Sequence, residues 1–396
     1  MQFSINRILK LLGLAISPVL ISNPTLQAKE STTSRVIFTD TNTVVSRKII
    51  DSLDHYYTRE IARGFNGSVL IGHKGKVIYK RHFGYADRSK GMMLGDKVST
   101  QLSSTSKPFT ATAILWLYQN KYLDINFPVN TYLRDFPYPN ITVKMLLNHT
   151  SGLPNYTSTK LPLWKSKEPM YSLDLQNYLA TFRPKLINTP GSKFKYCNTN
   201  YALLARIVEE VSGIPFKQFL QELIFEPLNM KNTFVYDPKD DYSDRAISIS
   251  YNPNWTIFHN NHEDGVYGDK GIFSTVEDMY LWDQALYQNK ILSQQTLRLA
   301  FSGIPVDNGG IKKYGLGWRM YDFKNGQKLI FHNGRWHGNN SVFYRFIDEN
   351  TTIIVLGNRF NTKIYQQGKA VYKILRSINP KAFTYTFDNE NDMGVD

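Results

Sequence analysis

The stretch Leu102-Ser-Ser104-Thr-Ser-Lys107-Pro108 places a hydroxyl and an amine three residues apart, at the start of a run that is apolar on nearly every face as far as Tyr118. Residues three apart on a helix share a face, so Ser104 and Lys107 are expected to meet at the N-terminus of a buried helix. The chemistry open to such a pair is acyl transfer. The serine attacks a carbonyl, and the lysine takes its proton once burial has lowered the amine toward neutrality. The positive end of the helix dipole favours both the attacking oxygen and an acyl oxyanion. A serine in this place is also an ordinary helix cap, and Ser192-Lys-Phe-Lys195 repeats the same spacing. That second match follows Pro190-Gly191 in an extended stretch, where residues three apart face opposite ways. Only the first match opens a buried helix.

Two other groups carry chemistry. Tyr196-Cys197-Asn198 precedes a helical run, and a turn there aims a phenol and a carboxamide the same way, the phenol to shuttle a proton and the amide to hold a substrate carbonyl. Packing is the commoner fate of any one of the 25 tyrosines. His332-Asn333-Gly334 ends a predicted strand and is followed by Arg335. The glycine lets a substrate approach the strand, and the N–H of Arg335 offers a second oxyanion donor. His332 alone reads as an ordinary histidine. His259-Asn-Asn-His262 with Glu263 and Asp264 lacks a complete ligand set, so it reads as a polar loop, and no metal is assigned. The proposed chemistry requires no cofactor.

The elements that must position these groups fall into two kinds. Residues 45–61 have helical spacing, and Gly67-Ser-Val-Leu-Ile-Gly72 and Lys76-Val-Ile-Tyr-Lys-Arg-His82, separated by His73-Lys74-Gly75, read as a hairpin. Strand-like runs return at 328–331, 341–346 and 352–356, followed by a helix at 363–378. The middle is helical, at 107–120, 200–211 and 275–287, where Ser274-Thr-Val-Glu277 reads as a capping box. The expected fold is α+β: an antiparallel sheet built from both chain ends, flanked by helices, with a helical subdomain at about 96–300 and a ligand cleft between the two parts.

Residues 1–28 have a basic start, a short apolar core and a small-residue exit at Ala28, as in a secretory signal, so export to a periplasmic or extracellular setting is expected. A Ser/Thr/Asn-rich linker follows at 29–45, then one domain at 46–378 and a polar tail at 379–396. Cys197 is the only cysteine, so no intrachain disulfide supports the fold. Of the 396 residues 42% are hydrophobic, enough for a large core, which argues against general disorder. Lys and Arg number 47 against 33 Asp and Glu, spread along the chain. An even spread favours a solvated basic surface, while peripheral contact with anionic envelope polymers or a membrane surface is the sharper reading. No nucleic-acid motif accompanies the charge. The expected partner is a small-molecule or cell-envelope substrate, and oligomeric state is not legible.

The three elements in this order resemble the serine β-lactamase and D-alanyl-D-alanine peptidase superfamily, in its class C β-lactamase-like branch with esterases and carboxypeptidases. The resemblance spans about residues 66–375 and includes Leu146-Leu-Asn-His-Thr-Ser-Gly-Leu-Pro154, Phe225-Glu-Pro-Leu228, Gly268-Asp-Lys-Gly-Ile-Phe-Ser-Thr275 and Tyr314-Gly-Leu-Gly-Trp318. It implies that Ser104 is acylated, that Lys107 and Tyr196 move protons, that Asn198, His332, Gly334 and Arg335 contact substrate, and that the N–H groups of Ser104 and Arg335 form the oxyanion hole. Class C β-lactamases typically carry Lys-Thr-Gly where this chain has His332-Asn333-Gly334. That departure favours an ester or D-alanyl substrate and a carboxypeptidase- or esterase-like serine hydrolase. The alternatives are a β-lactamase and, from another class, a penicillin-binding or sensing protein without turnover. Cys197 stands where a small residue is common and is read as a spacer.

Overall fold

The β-rich ends of the chain join in one eight-stranded antiparallel sheet in the computed structural model, which describes residues 44–158, 166, 168–306 and 312–387. Its strands are β1 (Gly67–His73), β2 (Lys76–Phe83), β3 (Ile304–Pro305), β4 (Lys312–Tyr314), β5 (Arg319–Asp322), β6 (Lys328–Trp336), β7 (Asn339–Phe346) and β8 (Thr351–Gly357). They lie in the order β2-β1-β8-β7-β6-β5-β4-β3, so the N-terminal hairpin docks on the last strand of the chain. Lys74 and Gly75 turn that hairpin with φ of 49° and 78°. Two positive φ values match the twist of the flanking strands, and glycine takes one without strain.

Both faces of the sheet are covered. Side chains alternate along a strand, so Val69, Ile71, Val342, Tyr344, Ile353 and Val355 pack under α1 (Val44–Ala62) and α5 (Ile364–Ile378). Leu70, Phe343, Ile354 and Leu356 face the other way, toward a core shared with α2 (Lys107–Gln119), α3 (Asn198–Ser212) and α4 (Val276–Tyr287). The strands therefore read as nearly unbroken apolar runs although the sheet is antiparallel.

Helix α2 is buried at every position from Lys107 to Leu117, because its sequence is apolar all round. Pro108 in its first turn fixes φ where the missing N–H costs nothing. Phe109 stacks on Trp282 of α4 at 3.7 Å, and Trp282 stacks on Trp318 at 5.6 Å. Each fully buried Leu, Ile or Phe on this helix contributes about 1.5–3 kcal/mol. The start of α2 is thereby held rigidly against both parts of the domain.

Three expectations need correction. The cap of α4 is Thr275, whose side chain accepts the N–H of Asp278 at 3.2 Å, and not Ser274, whose hydroxyl meets Thr233 Oγ1 at 2.8 Å inside the core. The predicted strand at 328–331 continues to Trp336, which puts the His332 motif within β6 rather than after it. The polar tail begins later than 379, since Phe383 and Tyr385 are buried and the Tyr385 hydroxyl lies 2.9 Å from Lys328 O. The alternation Phe383, Tyr385, Phe387 carried that signal. The signal-like segment 1–28, residues 29–43 of the linker and residues 388–396 lie outside the described residues. No helix among the described residues is long and apolar enough to cross a membrane.

Candidate active site

Ser104 lies on the 3-10 turn Ser103–Ser106 that leads into α2, where a continuous α-helix was expected. Ser341 Oγ of β7 donates to Leu102 O at 2.7 Å, and Ser106 Oγ accepts the N–H of Ile272 at 3.2 Å, fastening the turn on two sides. Ser103 is held at φ 53°, a conformation that costs a non-glycine residue about 1–3 kcal/mol. Ser104 beside it is the one residue of the turn that is not fully buried.

Lys107 Nζ lies 3.1 Å from Ser104 Oγ, 2.8 Å from Asn198 Oδ1 and 2.8 Å from Asp269 O, and the residue is wholly buried. The two carbonyl oxygens take two N–H groups. The third direction faces Ser104, with an N–H when the amine is charged and with a lone pair that can accept the hydroxyl proton when it is neutral. Asn198 opens α3 and is oriented from three sides. Its Oδ1 accepts from Lys107, its Nδ2 donates to Thr157 Oγ1 at 3.1 Å, and its backbone N–H donates to Asn155 Oδ1 at 3.0 Å.

Tyr196 is half-buried, with Lys107 Nζ 4.9 Å and Arg319 Cζ 5.3 Å from its ring centroid. Two basic side chains thus lie against the Tyr196 ring. Behind the ring stands His149 at 4.4 Å, whose Nδ1 accepts the N–H of Cys197 at 3.2 Å. The Cys197 thiol points into the core toward Leu153 O at 3.4 Å, and burial pushes its pKa up to about 11. It is a spacer, as the sequence suggested.

The third motif passes the nucleophile on an open strand edge. β5 pairs with β6 only as far as Arg319 opposite Phe331, so β6 runs on from His332 to Trp336 without that neighbour. Gly334 abuts the nucleophile turn: a Cβ there would lie 2.3 Å from Leu102 O and 2.9 Å from Ser104 N. Ser104, Tyr196, Asn198, Gly334, Arg335 and Arg319 line one cleft of about 600 Å³.

His332 is the exception. It is fully buried, with Nδ1 2.7 Å from Asn333 O and Nε2 3.2 Å from the Tyr314 hydroxyl, so the expected substrate contact is corrected to a place behind Tyr196. Burial, then Arg319 and Lys107, holds its pKa well below that of a free imidazole. His149 is shifted the same way by burial, then Lys107, His332 and Arg319. Both rings are neutral in the folded protein, whereas an unfolded histidine takes a proton near pH 6.5. Stability is therefore full above about pH 6.5 and falls as pH drops below it. Between pH 7.5 and 5.5 each ring is expected to remove on the order of 1 kcal/mol. Urea unfolding across that range measures the loss, and His332→Asn should reduce it by one histidine's share. An equal slope in the variant would show that His332 is not held neutral.

Sequence reasoning missed Asp269 and Arg319. Asp269 acts through a backbone carbonyl, which no residue type advertises. Arg319 directly follows the quoted Tyr314-Gly-Leu-Gly-Trp318 stretch and needed the β5–β6 register to bring it to Tyr196. Ser192 of the rejected pair is exposed and bonded to Thr189 O at 2.7 Å. In the His259–Asp264 loop both histidines are exposed, while Asp264 is buried and bonded elsewhere. Among the described residues, His82, Asp96 and Glu277 have metal-ligand spacing, but the Lys80 ammonium bridges the two carboxylates at 3.0 and 2.9 Å.

The Beta-lactamase family model matches residues 57–374. A penicillin-binding protein of Bacillus subtilis (strain 168) is 32% identical over 326 residues, covering 78% of this chain and 72% of that one. A D-aminopeptidase of Brucella anthropi is 25% identical over 304 residues, covering 75% of this chain and 56% of that one. The crystal structure of a penicillin binding protein from Bacillus halodurans superposes with a TM-score of 0.70 at 23% identity, covering 82% of this chain and 98% of that one.

Proposed function

This chain belongs to the Beta-lactamase family of hydrolases, and we propose that it is a serine acyl-transfer enzyme acting on a D-alanyl amide or ester, in the manner of a DD-carboxypeptidase or esterase. The observation that carries this reading is the amine of Lys107, held 3.1 Å from Ser104 Oγ by two fixed carbonyl acceptors at the foot of an open cleft. Ser104 Oγ attacks the substrate carbonyl while Lys107, with Tyr196, receives its proton. The N–H groups of Ser104 and Arg335 receive the oxyanion, and the proton passes to the leaving amine or alcohol as the acyl–Ser104 ester forms. Water then repeats the sequence, releasing the acid and regenerating the hydroxyl. Catalysis needs no cofactor in this scheme, and the signal-like N-terminal segment supports action outside the cytoplasm.

The cations along one side of the cleft support a substrate whose leaving group carries a carboxylate. With His332 buried and neutral, Arg319 supplies the cation there, beside Tyr196, with Lys312 further along the wall. Arg319→Ala is expected to lower the ratio of kcat/KM for a D-alanyl-D-alanine peptide to that for a neutral ester by about 10- to 100-fold, the scale of one charge-assisted hydrogen bond. Taking the ratio cancels any common loss from disturbing Tyr196. An unchanged ratio would remove Arg319 from substrate recognition. The function itself is tested by assaying purified protein against D-alanyl peptides, p-nitrophenyl esters and a chromogenic cephalosporin. Product beyond one equivalent per chain, with the esters or D-alanyl substrates ahead of the cephalosporin in kcat/KM, is the expected result. Stoichiometric acylation without turnover would mark a penicillin-binding or sensing protein instead.

A further inference from the structure

A second chamber of about 540 Å³ joins the cleft at Thr157, Asn198 and Arg335, and its character differs from that of the cationic side. Its remaining walls are Pro253, Phe258, Trp336, His337 and Phe360. The back wall is fixed from inside the protein. Buried Asp264 accepts Trp336 Nε1 at 2.6 Å and lies 3.0 Å from His337 Nε2, while the Phe258 ring stacks over His337 at 5.9 Å. Phe258 is nevertheless 39% exposed, an apolar ring at the rim with no cover of its own. A preformed wall of this kind costs little to organise when a ligand enters.

We infer that this chamber holds the acyl side of the substrate and selects acyl groups ending in a non-cationic aromatic or bulky apolar group. The inference rests on the acyl-transfer reading above. A carbonyl seated between Ser104 and Gly334 sends its two substituents in opposite directions. The cations on the Arg319 side suit a carboxylate, so the other substituent enters the chamber past Asn198. One N–H of the Asn198 amide goes to Thr157, leaving the second for a carbonyl near the reacting centre. Beyond that point the walls are ring faces and Pro253, which favour apolar surface. Ring faces also attract cations. Here the Arg335 guanidinium already stands at the mouth, 5.9 Å from the Phe360 centroid, and repels a cationic ligand.

Two esters that share a leaving group and differ only in the acyl part, p-nitrophenyl acetate and p-nitrophenyl phenylacetate, test the inference. Each kcat/KM is divided by the spontaneous hydrolysis rate of that ester. The phenylacetate is expected to lead by about tenfold or more, the scale on which an apolar pocket discriminates. Phe258→Ala should cut that ratio at least about threefold, and Phe258→Leu should restore part of it. The ratio cancels losses common to both esters. Equal corrected rates in the unaltered protein, or a ratio unmoved by Phe258→Ala while Ser104 is still acylated, would overturn the chamber's role alone. Failure of both esters to acylate Ser104 would overturn the acyl-transfer reading and this inference with it.

Discussion

Lys107→Ala is expected to lower the rate of Ser104 acylation by about two to four orders of magnitude, the usual worth of positioned acid–base assistance. The amine has no substitute at its position. Among the described residues, the next lysine inside the protein, Lys270, is bonded to the Tyr156 hydroxyl and Val266 O, away from Ser104. Removing the amine also strands the buried Asp269 carbonyl, which costs about 1–3 kcal/mol for an unsatisfied acceptor, while water in the cleft can reach Asn198 Oδ1. Lys107→Met keeps the stem packed against its surroundings, so the two variants separate loss of the base from loss of packing. Stopped-flow acylation alongside circular dichroism is the measurement. A folded variant that acylates at the wild-type rate would exclude Lys107 from proton transfer, and Tyr196→Phe tests the phenol in the same way.

Gly334→Ala is expected to be comparably severe through geometry alone. The added methyl would meet Leu102 O at 2.3 Å and Ser104 N at 2.9 Å. Both are backbone atoms of the segment that presents the nucleophile, so relief requires β6 or the turn to move away. Either movement separates the N–H groups of Ser104 and Arg335. Loss of one oxyanion donor typically costs about 10²–10³-fold in turnover, and that fall is expected here. The sheet should survive, since β6 keeps its β7 partner from Leu329 to Trp336. Steady-state turnover with a thermal unfolding curve decides the matter: near-normal kcat in a folded variant would show that the close approach of β6 to Ser104 has no catalytic consequence.

The parts of the fold that were legible in the sequence are those governed by side-chain periodicity. The all-round apolarity of 107–117 announced a buried helix, and the apolar runs at 67–72, 341–346 and 352–356 announced strands that the structure extends by a residue or two at their ends. The short strands Ile304–Pro305, Lys312–Tyr314 and Arg319–Asp322 gave no such signal, because a run of two to four residues of mixed polarity resembles a loop. The site divides in the same way. Ser104, Lys107, Tyr196 and Asn198 were legible by type and spacing, and the structure brings them together. His332 misled, since a motif position states which residue is present and not which way its side chain faces. On β6 the alternation turns His332 inward and Asn333 and Arg335 toward the cleft. Arg319 and the Asp269 carbonyl became visible only when strand register and loop path brought them to Tyr196 and Lys107.

The most direct test of the acyl-transfer mechanism is the site of covalent labelling. The purified protein is treated with a fluorescent penicillin or a fluorophosphonate, digested and sequenced by mass spectrometry. The adduct is expected on the peptide containing Ser104 and on no other serine, and Ser104→Ala should abolish it while leaving the fold intact. Labelling at Ser192, or labelling that persists in Ser104→Ala, would contradict the assignment of Ser104 as the nucleophile.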